Sequence, residues 1–150
     1  MVKVLDENFG RGEVMDHVGI ALWRAASAWR REMGERMAEA GYPWHNWAAG
    51  AVLANLGPDG MGQAKLTEQM GMSKQAVQQL VDQLEAAGVV RRVPDPEDRR
   101  ARRVELTELG LEDMRVRNRV KRDIESRYRS VLGDEAYDGL MAALEKLADK

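Results

Sequence analysis

Apolar residues recur every three or four positions along most of this chain, and the breaks in that rhythm mark its elements. Residues 13–40 carry Val14, Val18, Leu22, Trp29, Met33 and Met37 near one stripe, and Gly41, Tyr42 and Pro43 end the pattern. A shorter helix is expected over residues 46–56, with Trp47, Leu53 and Leu56 as core. Beyond Ser73, Val77, Leu80, Val81 and Leu84 fall at i, i+3, i+4 and i+7 and so line one helical face. Ser73 is a suitable N-cap, Gly71 suits a sharp turn before it, and Gly88 suits the residue that ends the helix. The period then shortens to two. Val89, Val90 and Val93 favour a strand, Pro94-Asp95-Pro96 a turn, and Val104 and Leu106 alternate with Arg103 and Glu105 in a second strand. Thr107 can cap a helix running to about Leu132, on which Val116, Val120, Ile124, Tyr128 and Val131 recur. Gly133-Asp134 opens a last helix to about Ala148, with Tyr137, Leu140, Met141, Leu144 and Leu147 on its stripe.

A short helix from Leu66, a glycine turn, an amphipathic helix and then a strand pair have the order of a winged helix-turn-helix. The expected fold class is therefore mainly α with a small β-hairpin wing (α+β). The expected organisation is a single domain over 1–150, with the winged helix-turn-helix at 46–106 and helical regions at 13–40 and 107–150.

Charge sharpens this reading. Residues 91–103 hold six arginines against three acids, a balance of +3, on a chain whose net charge is −2; the remainder therefore sums to −5. A basic finger on an acidic body is a local feature suited to phosphates. The polar face of the helix after Ser73 carries Gln75, Gln78, Gln79 and Gln83, with Lys74 at its start. Glutamine both donates and accepts, and can meet adenine N6 and N7 together. A solvated glutamine-rich face and a solvated charged hairpin remain open as plainer readings of each feature taken alone.

Together, LTEQMGMSKQAVQQLVDQLEAAGVV, the following RR and DPEDRRARRVELTELG resemble the MarR family (multiple antibiotic resistance regulators) of bacterial transcription factors. The family's Asp-x-Arg followed by Val-x-Leu-Thr-x-x-Gly is met by Asp98, Arg100, Val104, Leu106, Thr107 and Gly110. The resemblance is strongest over 46–110. Gly57-Pro58-Asp59-Gly60-Met61-Gly62 departs from it in its glycine content, which leaves the start of the next helix open. By resemblance, Ser73 to Ala87 is the recognition helix, with Ser73, Lys74, Gln75, Gln78 and Gln79 near base edges or adjacent phosphates. Arg100 is then the wing-tip residue of the minor groove, oriented by Asp98. Arg91, Arg92, Arg99 and Arg102 or Arg103 are expected on phosphates. The resemblance also implies a homodimer, to which the long terminal helices lend support: about 26 residues span roughly 39 Å, more than a compact domain of this size needs. Double-stranded DNA and a second copy are thus the expected partners.

The same resemblance implies a small aromatic or phenolic effector near the junction of the dimer helices and the DNA reader. His17, Trp23, Tyr42, Trp44, His45 and Trp47 are the candidate residues for it, since all four tryptophans precede residue 48. These rings serve equally well as ordinary core. The basic run Arg115, Arg117, Arg119, Lys121, Arg122 is expected to be a solvated helix face. No cofactor is expected, and two histidines without cysteine give no metal-ligand spacing. There is no Gly-x-Ser-x-Gly, phosphate-cradling glycine loop or nucleophile beside a base, so an enzyme is not expected. The absence of a run of 18 apolar residues, and an N-terminus without a basic-then-apolar layout, lead to an expected cytoplasmic location without membrane association. The competing reading is a winged-helix module that binds protein in place of DNA.

Overall fold

The computed structural model describes residues 17–148. Residues 13–16, with Val14 of the first stripe, and the N-terminal MVKVLDENFG segment lie outside the described residues. The chain order is α1 (Val18–Glu39), a short 3-10 helix (Pro43–Asn46), α2 (Gly50–Asn55), β1 (Met61–Gly62), α3 (Gln63–Met70) and α4 (Lys74–Ala86). It continues through β2 (Val90–Pro94), β3 (Arg102–Leu106), α5 (Glu108–Leu132) and α6 (Asp134–Ala148). The described residues are mainly helical with one small antiparallel sheet, the winged-helix class expected.

The sequence signals around α4 act as expected. The Ser73 hydroxyl accepts from the Ala76 N–H at 3.1 Å, and Val77, Leu80, Val81 and Leu84 are all buried. At the other end Gly88 takes φ +76°, and the helix closes with Gly88 N–H on the Glu85 carbonyl at 2.9 Å and Val89 N–H on the Leu84 carbonyl at 3.0 Å. Those bonds satisfy carbonyls that the helix end would otherwise leave unpaired. The chain passes directly from them into β2. Thr107 then ties the wing back, because its hydroxyl donates to the Gly88 carbonyl at 2.6 Å and accepts from the Gly110 N–H at 3.2 Å as the cap of α5.

The sheet has three strands in the order β1-β3-β2, not the two of a simple hairpin. Met61 pairs with Val104 and Gly62 with Arg103, so the glycine-rich segment is a third strand leading into a helix that starts at Gln63. Gly60 explains the departure from the family pattern. It sits at φ +70°, and a Cβ there would stand 2.6 Å from the Val104 carbonyl oxygen. Only a residue without a side chain admits so close an approach to β3.

One continuous core runs from Met33 and Met37 of α1 through Val52, Leu53 and Leu66 to Val77, Val81 and Leu84 of α4, Val104 of the sheet and Ile124 of α5. Three expectations need correction. The segment from 46 is not one helix, because Pro43 opens a 3-10 turn and α2 begins only at Gly50. Trp47, left in extended backbone after that turn, is 43% exposed and is not core. Arg117 does not belong to a solvated face: it is buried, while Arg115, Arg119 and Arg122 are exposed. Val18, Leu22 and Trp23 on α1, Val131 and Leu132 at the end of α5, and Leu140, Met141, Leu144 and Leu147 on α6 remain exposed within one chain. No helix among the described residues is long and apolar enough to cross a membrane.

Candidate nucleic-acid interface

The buried stripe of α4 fixes which side chains face outward. With Val77, Leu80, Val81 and Leu84 inward, Lys74, Gln75, Gln78, Gln79, Asp82 and Gln83 are all exposed. Ser73 stands at the mouth of the helix, its hydroxyl engaged in the cap. Lys74, Gln75 and Gln79 extend from this face without a side-chain hydrogen bond among the described residues, which leaves their donors and acceptors open to a ligand.

Beside α4 the wing tip is shaped by its acids. Asp95 accepts from the Glu97 N–H and Asp98 from the Arg100 N–H, both at 2.9 Å, and the Ala101 N–H closes on the Asp98 carbonyl at 2.9 Å. Such side-chain-to-backbone bonds fix a turn that would otherwise be loose. Asp98 therefore orients Arg100 through its main chain and leaves the guanidinium unneutralised. Arg99, Arg100 and Arg102 are exposed and make no side-chain hydrogen bond or ion pair among the described residues. Between the tip, the start of α3 and the start of α4 lies a cleft of about 910 Å³. Lys65, Lys74, Arg92, Arg100 and Arg102 line it against a single acid, Asp95.

The remaining arginines of the wing are engaged. Arg91, on the outer face, meets Glu105 across the strands at 3.2 Å. Arg103 donates to the Asp59 carbonyl at 2.9 Å. Arg92, expected on a phosphate, is turned inward, with its guanidinium 2.7 Å from Asp82 and 2.6 Å from Glu85.

The six residues considered for an effector do not form one group. Tyr42, Trp44 and His45 come together where the 3-10 turn meets α5, with the Tyr42 and Trp44 rings edge-to-face at 5.6 Å. Trp44 Nε1–H donates to Asp113 Oδ1 at 2.9 Å, and His45 Nε2 lies 2.7 Å from the same oxygen. Trp47 is exposed, while His17 and Trp23 belong to the opposite end of α1, where Trp23 is 65% exposed. Sequence reasoning missed Asp113, which is fully buried, and Arg117, one turn along α5. Among the described residues, Asp113 Oδ2 and Arg117 Nε and Nη1 find no hydrogen-bond partner. Burial lowers the Arg117 pKa, and the Asp113 carboxylate partly opposes that shift. The Tyr42 phenol is pushed up, first by burial and then by Glu112 and Asp113. Among the described residues no group of three or more His, Asp or Glu side chains is placed to hold a metal ion.

Residues 46–101 match the family model described as MarR family. The fold is similar to that of a probable transcriptional regulator from Pseudomonas aeruginosa, at 22% identity and a TM-score of 0.70, covering 88% of this chain and 97% of that one. It is similar to a mutant MarR from E. coli complexed with operator DNA, at 20% identity and a TM-score of 0.72, covering 87% and 93%. It is also similar to the YusO protein from Bacillus subtilis, at 26% identity and a TM-score of 0.63, covering 87% and 92%. No curated protein matches the sequence. The winged-helix segment is thus similar to the MarR family, and the fold around it is similar to that of these regulators.

Proposed function

We propose that the protein is a sequence-specific DNA-binding transcriptional regulator, acting as a homodimeric repressor on an inverted repeat and modulated by a small aromatic effector. The observation that carries this reading is the wing and α4 taken together. Arg99, Arg100 and Arg102 project without a partner among the described residues, beside an exposed glutamine and lysine face, on a chain that is otherwise acidic. Phosphate contacts supply most affinity in such a reader, and base edges supply the discrimination. A solved relative of the same fold is bound to operator DNA. A protein-binding module is disfavoured by the same face, where Lys74, Gln75, Gln78, Gln79 and Gln83 outnumber the acids Asp82 and Glu85, both of which are engaged by Arg92.

A second copy would cover the exposed apolar residues of α6 and the start of α1, and a two-fold axis would set two α4 helices roughly 34 Å apart, one turn of DNA. An effector held at Tyr42, Trp44 and His45 would lie between α1 and α5. It would act by favouring a dimer whose spacing no longer fits the operator, and about 1.4 kcal/mol of preference gives a tenfold change. The unpaired polar atoms of Asp113 and Arg117 beside these rings support that position.

Two substitutions separate reading from anchoring. Gln79→Ala is expected to cost about 1–3 kcal/mol of binding on the preferred sequence and to relax preference at one base pair. Equal loss on all sequences, measured by titration against a mutated operator series, removes Gln79 from base reading. Arg100→Ala is expected to weaken binding on every sequence and to reduce the slope of log K against log salt by about 0.9. A slope equal to that of the unsubstituted protein excludes Arg100 as a phosphate contact.

A further inference from the structure

Arg92 is surrounded by partners from two other elements, α3 and α4. Its Nη1 meets Asp82 Oδ1 at 2.7 Å and Glu85 Oε2 at 2.6 Å, its Nη2 donates to the Gln78 carbonyl at 3.1 Å, and its Nε reaches Gln63 Oε1 at 3.4 Å. The other Glu85 oxygen accepts the Arg92 backbone N–H at 3.1 Å. β2 is an edge strand of the sheet, so a backbone donor on its outer side has no ladder partner; Glu85 supplies one. The side chain of Arg92 is only 18% exposed, against 36–62% for the ion-paired Arg36, Arg91, Arg127 and Arg129.

The two acids are placed at a cost that local structure does not explain. Glu85 lies in the last turn of α4, where the helix dipole disfavours a negative charge, and that turn holds no basic residue. Both acids also stand on the helix proposed to face a polyanion. One cation between two carboxylates leaves the cluster at −1, so a phosphate would have to displace carboxylates to reach Arg92. Arg92 is therefore poorly disposed to anchor DNA and well disposed to hold its own chain together.

We propose that Arg92, Asp82 and Glu85 form a lock that fixes the wing to the recognition helix, making Arg92 a positioning residue and not a phosphate contact. Base reading by α4 and backbone contact by the wing then act as one rigid unit. This inference rests on the DNA-binding reading for its functional consequence, but the lock itself is a property of the free protein.

The test uses the full chain with Asp82→Asn/Glu85→Gln, Arg92→Gln and Arg92→Lys. Amide hydrogen exchange of β2 and β3 without DNA is expected to quicken in the first two variants, while Arg92→Lys restores part of the protection. On a DNA fragment selected by the unsubstituted protein, Asp82→Asn/Glu85→Gln is expected to bind about tenfold more weakly, although it removes two negative charges beside a polyanion. Arg92→Gln is expected to lose about as much affinity, with the salt slope unchanged and the preference over random DNA reduced. Binding by the double variant that is equal or tighter overturns the lock, as does a salt slope about 0.9 smaller in Arg92→Gln. If the unsubstituted protein selects no DNA, the functional reading fails on that result alone. Exchange then judges the lock by itself: faster wing exchange supports it, and unchanged exchange overturns it.

Discussion

Leu144→Glu is expected to convert the protein to a monomer and to lower its affinity for a two-half-site operator by about 10²–10⁴. Leu140, Met141, Leu144 and Leu147 lie on one side of α6 and are 37–56% exposed in the single chain. An isolated exposed leucine means little, but four on one helix, with Val131 and Leu132 just before it, form a surface that water disfavours. Covering the exposed part of each such side chain is worth about 1 kcal/mol, and a carboxylate at the centre removes one share and must itself be desolvated. The second half-site would then no longer be reached intramolecularly, and affinity would fall to that of one reader. Sedimentation and titration against one and two half-sites check this. A dimer that persists with unchanged affinity places the interface on another face.

The second large effect is at Asp113. Its Oδ1 accepts from Trp44 and lies against His45, so this one carboxylate binds the 3-10 turn to α5. Asp113→Ala leaves the Trp44 N–H without its acceptor and the buried Arg117 guanidinium without its nearby carboxylate. Leaving a buried donor without its acceptor costs about 1–3 kcal/mol, and losing the carboxylate that partly opposes the desolvation of Arg117 adds to that. Urea unfolding at one fixed protein concentration measures it, since a dimer's stability depends on concentration. Adding Arg117→Met to Asp113→Ala is expected to recover part of the loss. A loss below about 1 kcal/mol, or a double variant no better than the single, contradicts this account of the site.

Helix α4 and the wing were legible because their signals are local. A serine cap, an i, i+3, i+4, i+7 stripe and a positive-φ glycine need only a few neighbouring residues. β1 was not legible, since two residues at Met61–Gly62 become a strand only by pairing with Val104 and Arg103 some forty positions later. Asp113 and Arg117 were hidden in a stretch dominated by charge. A signal for them did exist: stepping back from Ile124 by alternating four and three residues passes Val120, Arg117, Asp113 and Gly110, the phase that faces the protein. The apolar stripe drawn through Val116 pointed instead to a half-buried flank. Arg92 shows the same limit, since composition counts six arginines in the wing and cannot tell which are already engaged by acids on another element. Trp47 was lost to a 3-10 turn that Pro43 starts and that no helical period describes.

The most direct test of the central claim is selection of genomic DNA fragments by the purified protein at about 150 mM salt, followed by sequencing. The account predicts enrichment of an inverted repeat whose half-sites are centred about 10 base pairs apart, matching one α4 helix from each subunit. Recovery of no common sequence, with only weak binding that disappears as salt is raised, would contradict it.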